Sequence, residues 1–315
     1  MWGCVLAQHL ASRAKVTVWE FVPALAESLQ RTRRHAHIPG FRLDGSIKVV
    51  HDLKAVHDSD VLLFVLPSKA LAATARNLRG AGISKNAVAV NASKGIEPKT
   101  LSTMGDIIGR ELPFLKGRTW TLSGPSFARE VARGVPTGLM LGGPSGRQAD
   151  MLADLFNGGA LKVTHWPDRI GVELGGSLKN AIAIGAGILD GLGTGANTKA
   201  ALLVQGLSEM SSLIRARGGR ADTIYGLAGL GDLIATGTSP ESRNRGFGEL
   251  LGKGLKPEKA LAKILTVVEG IEAAAVTREL CARHGVDAPL LDAIFRTTRG
   301  ARADGVLKAL GFKRR

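Results

Sequence analysis

The chain has 315 residues, of which 44% are hydrophobic and 22% charged, and its formal net charge is +15. This length exceeds what one hydrophobic core usually holds, so we expect two domains of a soluble globular protein. No apolar run approaches the roughly 18 residues of a membrane span, and no secretory signal is visible, so we expect a cytoplasmic protein. Two cysteines and scattered histidines provide no metal-ligand pattern, and we expect no metal.

The basic residues are dispersed along the chain. One short cluster holds Arg31, Arg33 and Arg34, and a second runs from Lys313 to Arg315. Only 4% of the residues are aromatic, so the chain has few side chains on which nucleic-acid bases could stack. We therefore expect no nucleic acid as a partner, and interpret the basic surface as one that steers a small phosphorylated substrate.

The first half of the chain alternates short β-branched runs with helical patterns, which is typical of a parallel sheet with helices on its faces. Strands are predicted at 16–20, 60–66, 87–91, 119–123, 137–141 and 161–164. Helices are predicted at 23–33, 68–79, 97–111, 126–133 and 145–157. Past Pro167 the pattern becomes helical, with glycine-rich turns. The predicted fold is α/β, a doubly wound parallel sheet in domain 1–168 followed by an all-helical domain in 169–315.

The beginning of the chain departs from the usual order of a dinucleotide-binding domain. Such a domain opens with a strand and Gly-x-Gly-x-x-Gly, and a helix follows. Here Trp2 and Gly3 match the end of that motif, with Gly3 as its third glycine, and Glu20 ends the next predicted strand where an acid would bind ribose hydroxyls. The first strand and two glycines are missing from this pattern, and we expect the true start to lie upstream of Met1.

A glycine-rich helical stretch from residue 171 to 191 carries a single cation, Lys179. At helical spacing its neighbours are Gly175, Gly176, Ala183 and Ala186, so the lysine stands on a bare face. So many glycines disfavour a helix unless something approaches closely, either another helix or a ligand. Two interpretations of Lys179 follow. It is a lysine whose aliphatic stem packs between helices while its ammonium reaches solvent, or, if burial lowers its pKa, it is a general acid and base.

Three further stretches place polar groups where ligands bind. Lys94 and Gly95 follow one predicted strand, and Gly124 and Ser126 follow another, at the strand ends where α/β sheets bind ligands. Ser126 could cap a helix or donate to an oxyanion. In the helical part, Asp232 ends a Gly-Leu-Gly-Asp stretch, and the run Ser242, Arg243 and Asn244 could grip phosphate or simply begin a helix.

Together these segments resemble the bacterial NAD(P)-dependent glycerol-3-phosphate dehydrogenase family from Trp2 to about Gly311. The motifs that carry the resemblance are Lys94-Gly95, Ser-Gly-Pro-Ser-Phe at 123, Lys179-Asn180, Gly-Leu-Gly-Asp ending at 232, Ser-Arg-Asn at 242, Val-Val-Glu-Gly at 267 and the Ile-Pro-Gly loop ending at Gly40. The resemblance implies a Rossmann-like domain joined to a helical domain, with the site between them. It also implies reversible reduction of dihydroxyacetone phosphate to sn-glycerol 3-phosphate, which feeds phospholipid synthesis.

The resemblance also assigns residues to roles. Lys179 would be the proton donor during reduction, with Asn180 and Asp232 as its partners in catalysis. The substrate site would comprise Lys94, Gly124, Ser126, Lys179, Asp232, Ser242, Arg243 and Asn244. The cofactor site would comprise Trp2, Gly3, Glu20, Lys94, Ala128, Arg243, Val267 and Glu269.

Several alternatives stay open on the sequence alone. The cofactor is NAD or NADP, and Phe21 after Glu20, where the family often has a basic residue, favours NAD. A related hydroxyacid or sugar-acid dehydrogenase shares the two-domain plan, although Ser-Arg-Asn favours a phosphate. The missing glycine loop would also suit an inactive or cofactor-responsive paralogue. The oligomeric state is undecided, with a homodimer as one possibility.

Overall fold

The computed structural model describes residues 1–264 and 267–312. The basic cluster Lys313 to Arg315 lies outside the described residues. Contacts between Cα atoms divide the chain into two compact units. The sheet unit comprises Met1–Ser93, Met104–Leu122 and Ser126–Arg169. The helical unit comprises Lys94–Thr103, Ser123–Pro125 and the described residues from Ile170 onward.

The strands of the sheet unit form two sheets rather than one. The strands are β1 Thr17–Trp19, β2 Lys48–Val50, β3 Val61–Phe64, β4 Val88–Asn91, β5 Thr119–Ser123, β6 Thr137–Gly142 and β7 Leu161–Trp166. β1 and β2 pair in parallel as a two-stranded sheet, and β3 to β7 follow one another in a five-stranded sheet. The pairs β3–β4, β4–β5 and β6–β7 are parallel. The six predicted strands are confirmed, and β2 is an additional one.

The helices of the sheet unit lie between these strands. They are α1 Trp2–Leu10, α2 Pro23–Thr32, α3 Ser68–Gly80, α4 Met104–Glu111, α5 Ala128–Ala132 and α6 Arg147–Phe156. Alternate residues along β4 face different clusters of buried side chains: Val88 and Val90 belong to one cluster, and Ala89, like Ala87 just before the strand, belongs to the other. Because successive strand residues point to opposite faces, the sheet is covered on both faces, as a doubly wound fold requires.

The predicted helix 97–111 is wrong in its first half. Helix α4 begins only at Met104, and an antiparallel bridge between Ile96 and Thr103 closes the preceding segment into a loop. Within that loop Leu101 has a φ of 57°, which a right-handed helix cannot contain. The segment before Met104 is therefore a loop, and its apolar residues Ile96 and Leu101 are buried in the core of the helical unit.

The helical unit is built around α7 Arg169–Gly191, in which every residue from Gly171 to Leu189 is buried. A helix buried on all sides is a core element. The other helices are α8 Gly195–Ala216, α9 Asp232–Thr238, α10 Arg243–Gly252, α11 Pro257–Lys263, α12 Glu269–His284, α13 Pro289–Thr298 and α14 Asp304–Ala309. Ala221–Tyr225 is a 3-10 turn and Leu227–Gly231 a π-helical turn that leads into α9. Beyond Trp166 the described part of the chain contains no strand, as predicted.

The glycines of α7 allow close packing against α10. A Cβ on Gly187 would overlap the carbonyl oxygen of Arg245, and one on Gly191 would overlap that of Glu249. The contact is reciprocal, because a Cβ on Gly248 would overlap the carbonyl of Ile184. Helix packing therefore explains the glycines in the second half of α7, as one of the two sequence interpretations proposed.

The substitution Gly187→Ala is expected to destabilise the protein by about 2–3 kcal/mol, because the new methyl group must displace the backbone of α10. Gly246→Ala on α10 is the matched control. Nothing lies within 4 Å of its Cβ position, and alanine is the better helix former. Urea unfolding of both variants checks the prediction, and equal free energies of unfolding would contradict it.

Candidate active site

Lys179 lies in the middle of α7, and its side chain is only 7% exposed. Its Nζ is 2.8 Å from Asp232 Oδ1 and also forms a hydrogen bond with Thr236 Oγ1. Asp232 and Thr236 stand one helical turn apart on α9, and the Thr236 hydroxyl lies 3.3 Å from the same Asp232 oxygen. The lysine ammonium is therefore fixed by two side chains of a single short helix.

A second lysine contacts the other oxygen of the same carboxylate. Lys94 Nζ is 2.6 Å from Asp232 Oδ2 and 3.4 Å from the carbonyl oxygen of Gly124. The Lys94 side chain is 26% exposed, against 7% for Lys179, so Lys94 lies nearer the solvent. Asp232 thus bridges two ammonium groups, and the three side chains together carry a net positive charge. Such a site favours an anion or an oxygen on which negative charge develops.

Burial changes the protonation behaviour of this cluster. Loss of hydration lowers the pKa of Lys179 from its usual 10.5 to about 8, although the attraction of Asp232 opposes this shift. The positive charge of Lys94 lowers that pKa further. Burial also opposes ionisation of Asp232, but the two lysines outweigh it and hold the carboxyl pKa below its usual value. At neutral pH the lysine is therefore charged yet close to releasing its proton.

Two loops contact α7 around its glycines Gly175 and Gly176 and the small side chain of Ser177. The backbone N–H of Gly95 donates to Ser177 Oγ at 2.9 Å, which fixes the loop that carries Lys94. A Cβ on Gly176 would overlap the Ser123 hydroxyl, and Gly175 lies against the backbone of Ala228 in the π-helical turn before Asp232. The bare face predicted around Lys179 is thus the surface on which the loops bearing Lys94 and Asp232 meet the helix.

A second polar cluster surrounds the N-terminus of α10. Ser242 is the N-cap, and its Oγ accepts the backbone N–H of Arg245 at 3.2 Å. The next residue, Arg243, is exposed. Asn244 Nδ2 donates to Asn180 Oδ1 at 3.0 Å, and its Oδ1 accepts the backbone N–H of Gly270 at 2.9 Å. The structure therefore joins Asn180 to Asn244, and the hydrogen bonds of Lys179 go to Asp232 and Thr236 instead.

The predicted cofactor residues fall in both units. Val267 and Glu269, at the N-terminus of α12, are exposed in the helical unit. In the sheet unit, Trp2 and Gly3 begin α1, Ala128 begins α5 and Glu20 follows β1, all four partly accessible to solvent.

The residues at the start of the sheet unit suit a dinucleotide. A Cβ on Gly3 would lie 3.4 Å from Val65, so this helix packs closely on the segment after β3, as the third glycine of the motif requires. Met1, the N-cap of α1, makes no side-chain hydrogen bond to the helix. One Glu20 oxygen accepts the N–H of Val22 at 3.1 Å, which leaves the other for a ribose hydroxyl.

Ser126 does not cap a helix, contrary to one of the two sequence interpretations. The N-cap of α5 is Phe127, which provides no side-chain hydrogen bond, and the helix begins at Ala128. The capping explanation for Ser126 is therefore wrong. Ser126 belongs to the sheet unit, whereas Gly124, two residues earlier, belongs to the helical unit.

Sequence reasoning missed two residues of the site. Thr236 could have been predicted from spacing, because it lies four residues after Asp232 and hence on the same helical face. Ser177 precedes Lys179 by two residues and gives no periodic signal, since its role depends on a loop 82 residues away.

Comparisons with known proteins agree in both halves of the chain. The family model for the N-terminus of NAD-dependent glycerol-3-phosphate dehydrogenase matches residues 1–148, and the model for its C-terminus matches residues 168–304. Proteins described as glycerol-3-phosphate dehydrogenase (NAD(P)+) from Fusobacterium nucleatum and Moorella thermoacetica are each 41% identical, over 296 and 297 residues. Each alignment covers 93% of this chain and 88% of the relative.

A solved structure shows the same fold. The crystal structure of glycerol-3-phosphate dehydrogenase from Coxiella burnetii superposes with a TM-score of 0.87 at 32% identity, covering 98% of this chain and 94% of that one.

In the described residues, no helix combines the length and the hydropathy that crossing a bilayer would require. The matched models and relatives span most of the sequence, and the chain belongs to the NAD-dependent glycerol-3-phosphate dehydrogenase family.

Proposed function

We propose that this chain reversibly reduces dihydroxyacetone phosphate to sn-glycerol 3-phosphate with NADH or NADPH. The observation that carries the proposal is the buried Lys179–Asp232–Lys94 cluster in a chain of this family. A ketone reductase needs a cation that stabilises negative charge on the carbonyl oxygen and then protonates it. A lysine whose pKa is lowered to about 8 can supply that proton near neutral pH and take it back in the reverse direction.

The reaction divides between the cofactor and the side chains. When bound, the nicotinamide supplies a hydride to the carbonyl carbon. Lys179 holds the carbonyl oxygen and transfers one proton to it, so that one hydride and one proton convert the ketone into the alcohol. Asp232 keeps the Lys179 ammonium oriented through a 2.8 Å hydrogen bond. Lys94 adds a second positive charge, which helps to stabilise the negative charge that develops on the carbonyl oxygen.

The remaining assigned residues would hold the parts of the ligands that do not react. Arg243, with Ser242 and Asn244 beside it, would bind the substrate phosphate through charge-assisted hydrogen bonds, and Gly124 and Ser126 would line the same substrate. For the cofactor, the proposed residues are Trp2, Gly3, Glu20, Ala128, Lys94, Arg243, Val267 and Glu269. Residues 1–168 would thus serve mainly the cofactor, and residues 169–315 the substrate chemistry.

The proposal also covers the metabolic role of the reaction, the location of the enzyme, its partner and its oligomeric state. A glycerol 3-phosphate producer would supply the backbone of phospholipids, and a cytoplasmic location is part of the same proposal. The partner is a small phosphorylated molecule, whose capture the net charge of +15 favours. A homodimer is the oligomeric state to test first.

Oxidation of NADH and NADPH in the presence of dihydroxyacetone phosphate tests the activity. We expect turnover with the phosphorylated substrate and far slower turnover with dihydroxyacetone, because the phosphate contributes binding energy without reacting. A folded protein that binds NADH but turns over neither substrate would instead be a cofactor-binding paralogue, and the proposal would be wrong.

The cofactor preference makes a separate prediction. Glu20 is expected to disfavour the 2′-phosphate of NADPH by charge repulsion, so kcat/KM should be higher for NADH. Glu20→Gln should reduce the ratio of the two kcat/KM values by about tenfold, which corresponds to about 1.4 kcal/mol. Glu27→Gln, an exposed carboxylate on α2, is the control and should leave the ratio unchanged. An unaltered ratio in the Glu20 variant would contradict the assignment.

A further inference from the structure

The loop that carries Lys94 is anchored by two buried apolar side chains. Residues 94–103, between β4 and α4, belong to the helical unit. Ile96 and Leu101 are only 5% and 1% exposed, and both are part of the apolar core of that unit. The burial of these two side chains therefore fixes the loop in addition to its hydrogen bonds.

Leu101 adopts a backbone conformation that leucine rarely takes. Its φ of 57° lies in the left-handed region, where a Cβ atom crowds the neighbouring backbone. Glycine or asparagine would adopt this conformation at a lower cost. The leucine side chain is almost completely buried, and the free energy of that burial offsets the backbone strain. The side chain, and not a backbone preference, therefore accounts for a leucine at this position.

Backbone hydrogen bonds connect Leu101 with the beginning of the loop. The Leu101 N–H donates to the Glu97 carbonyl at 2.8 Å, and the Glu97 N–H donates to the Ser102 carbonyl at 2.9 Å. Ile96 pairs with Thr103 in the antiparallel bridge. The two arms of the loop are thus paired with each other, so a displacement of Leu101 would also move the arm that begins with the lysine.

The contacts of Lys94 depend on the position of this loop. Lys94 Nζ lies 2.6 Å from Asp232 Oδ2, although a lysine side chain has four rotatable carbons and no fixed geometry of its own. A short distance of this kind requires a fixed backbone at the base of the side chain. Because Lys94 lies only two residues before Ile96, the anchored loop determines how close the second positive charge comes to the carboxylate.

We propose that Leu101 is a positioning residue, which anchors the loop 94–103 in the apolar core of the helical unit and thereby holds the Lys94 ammonium against Asp232. This inference rests on the proposed function, in which the second positive charge stabilises the developing oxyanion. An apolar side chain can neither bind nor protonate the carbonyl oxygen. Leu101 therefore acts only through Lys94.

The pH profile of the reduction reports where Lys94 lies. The charges that act on Lys179 are those of Asp232 on α9 and Glu269 on α12, which raise its pKa, and that of Lys94, which lowers it. If Lys94 moves away, the pKa of Lys179 rises, and the protonated form that reduction needs persists to higher pH. The midpoint of kcat/KM against pH should then move upward, which a general loss of stability does not predict.

The substitution Leu101→Ala tests the proposal, because it removes the anchor but keeps the Cβ that strains the backbone. We expect kcat/KM for dihydroxyacetone phosphate to fall about tenfold at pH 7, and the midpoint to rise by about 0.5 pH unit or more. Lys94→Met removes the charge directly and should raise the midpoint by at least as much. Leu101→Met keeps an apolar side chain of similar volume and should behave like the parent.

The matched control is a second leucine of the same apolar core. Leu213, on α8, is fully buried in the cluster that contains Leu101. Leu213→Ala should lower the free energy of unfolding in urea, as Leu101→Ala does, because both remove buried methyl groups. The pH midpoint of the Leu213 variant should nevertheless equal that of the parent.

Trypsin provides a readout that does not depend on turnover. Cleavage after Lys94 requires local opening of the anchored loop, and its rate follows the population of the open form. We expect the peptide that ends at Lys94, identified by mass spectrometry, to appear about tenfold faster in Leu101→Ala than in the parent, relative to cleavage elsewhere. Leu213→Ala should show no such selective increase.

Several outcomes would overturn the inference. A parent-like pH midpoint or a parent-like rate of cleavage after Lys94 in Leu101→Ala would show that the lysine does not need this anchor. An equal upward shift in Leu213→Ala would attribute the effect to core packing in general. If Leu101→Ala does not fold, Ile96→Val, which removes one methyl group from the second anchor, decides by the same measurements. An inactive parent would refute the proposed function and this inference together, whereas an active parent with an unaffected Leu101→Ala variant refutes the inference alone.

Discussion

Replacing Lys179 with methionine is expected to lower kcat for dihydroxyacetone phosphate reduction by about 1,000-fold or more. The methionine keeps most of the buried aliphatic volume but removes the proton donor, and general acid catalysis contributes roughly 10²–10⁴-fold. It also removes the positive charge nearest Asp232 Oδ1, so the oxyanion loses stabilisation as well. The KM for NADH should change little. Steady-state kinetics in both reaction directions measures the effect.

The matched control is a partly buried lysine that is also paired with an aspartate. Lys199 Nζ lies 2.5 Å from Asp190 Oδ1, and its side chain is 19% exposed. Lys199→Met should lower stability without changing kcat. Lys179→Ala provides a second check, since the smaller side chain leaves space for an added primary amine, which should restore part of the activity. Full activity in Lys179→Met, or equal losses in the Lys179 and Lys199 variants, would remove Lys179 from the mechanism.

The sequence predicted Lys179 well because the relevant signal is local. Helical spacing places Gly175, Gly176, Ala183 and Ala186 around the lysine, and the cost of glycine in a helix indicates close approach. The identity of what approaches is not local. Asp232 is 53 residues away and Lys94 is 85 residues before Lys179, and only the resemblance to a family brought them together in advance.

Local patterns also explain the errors. Strand β2 is a three-residue segment, Lys48–Val50, that pairs with β1, and although its valines favour a strand, so short a run gives only a weak signal. The helical pattern before Met104 reflects burial of Ile96 and Leu101 in the helical unit. Apolar spacing reports which side chains are buried, and it gives the backbone conformation only when neighbouring residues permit a helix.

No local sequence pattern predicts the hydrogen bonds between Asn180, Asn244 and Gly270. Asn180 and Asn244 are 64 residues apart, and Gly270 lies a further 26 along the chain. The sequence identified all three as parts of separate motifs. Their common geometry, and with it the orientation of the two amides, depends on how α7, α10 and α12 pack.

The second prediction concerns the pH dependence of the reaction and its control by Asp232. Reduction requires protonated Lys179, so kcat/KM for dihydroxyacetone phosphate should be constant below the pKa of about 8 and fall tenfold per pH unit above it. Oxidation of glycerol 3-phosphate requires the neutral amine, and its kcat/KM should rise up to the same pH and then become constant. Both profiles report the free enzyme, and their midpoints should agree.

Asp232→Asn is expected to move that midpoint to lower pH. The carboxylate raises the pKa of Lys179 by its charge and its hydrogen bond, whereas burial and Lys94 lower it. Removing the carboxylate leaves burial and Lys94, which lower the pKa, opposed only by the smaller raising effect of Glu269, so the amine loses its proton at lower pH. If the pKa falls by about one unit, the protonated fraction at pH 8 drops from about one half to about one eleventh, so the reduction rate at that pH should fall about fivefold.

Asp190→Asn separates this electrostatic effect from the general loss of a carboxylate that bridges two cations. Asp190 also bridges two cations, Lys199 at 2.5 Å and Arg245 at 2.8 Å, at the C-terminal end of α7, the helix that carries Lys179. Its amide variant should be less stable, yet its pH midpoint should match that of the parent. An unchanged or higher midpoint in Asp232→Asn would show that the titrating group is not Lys179. A downward shift confined to Asp232→Asn would instead tie the proton transfer to the lysine pair that this one carboxylate joins.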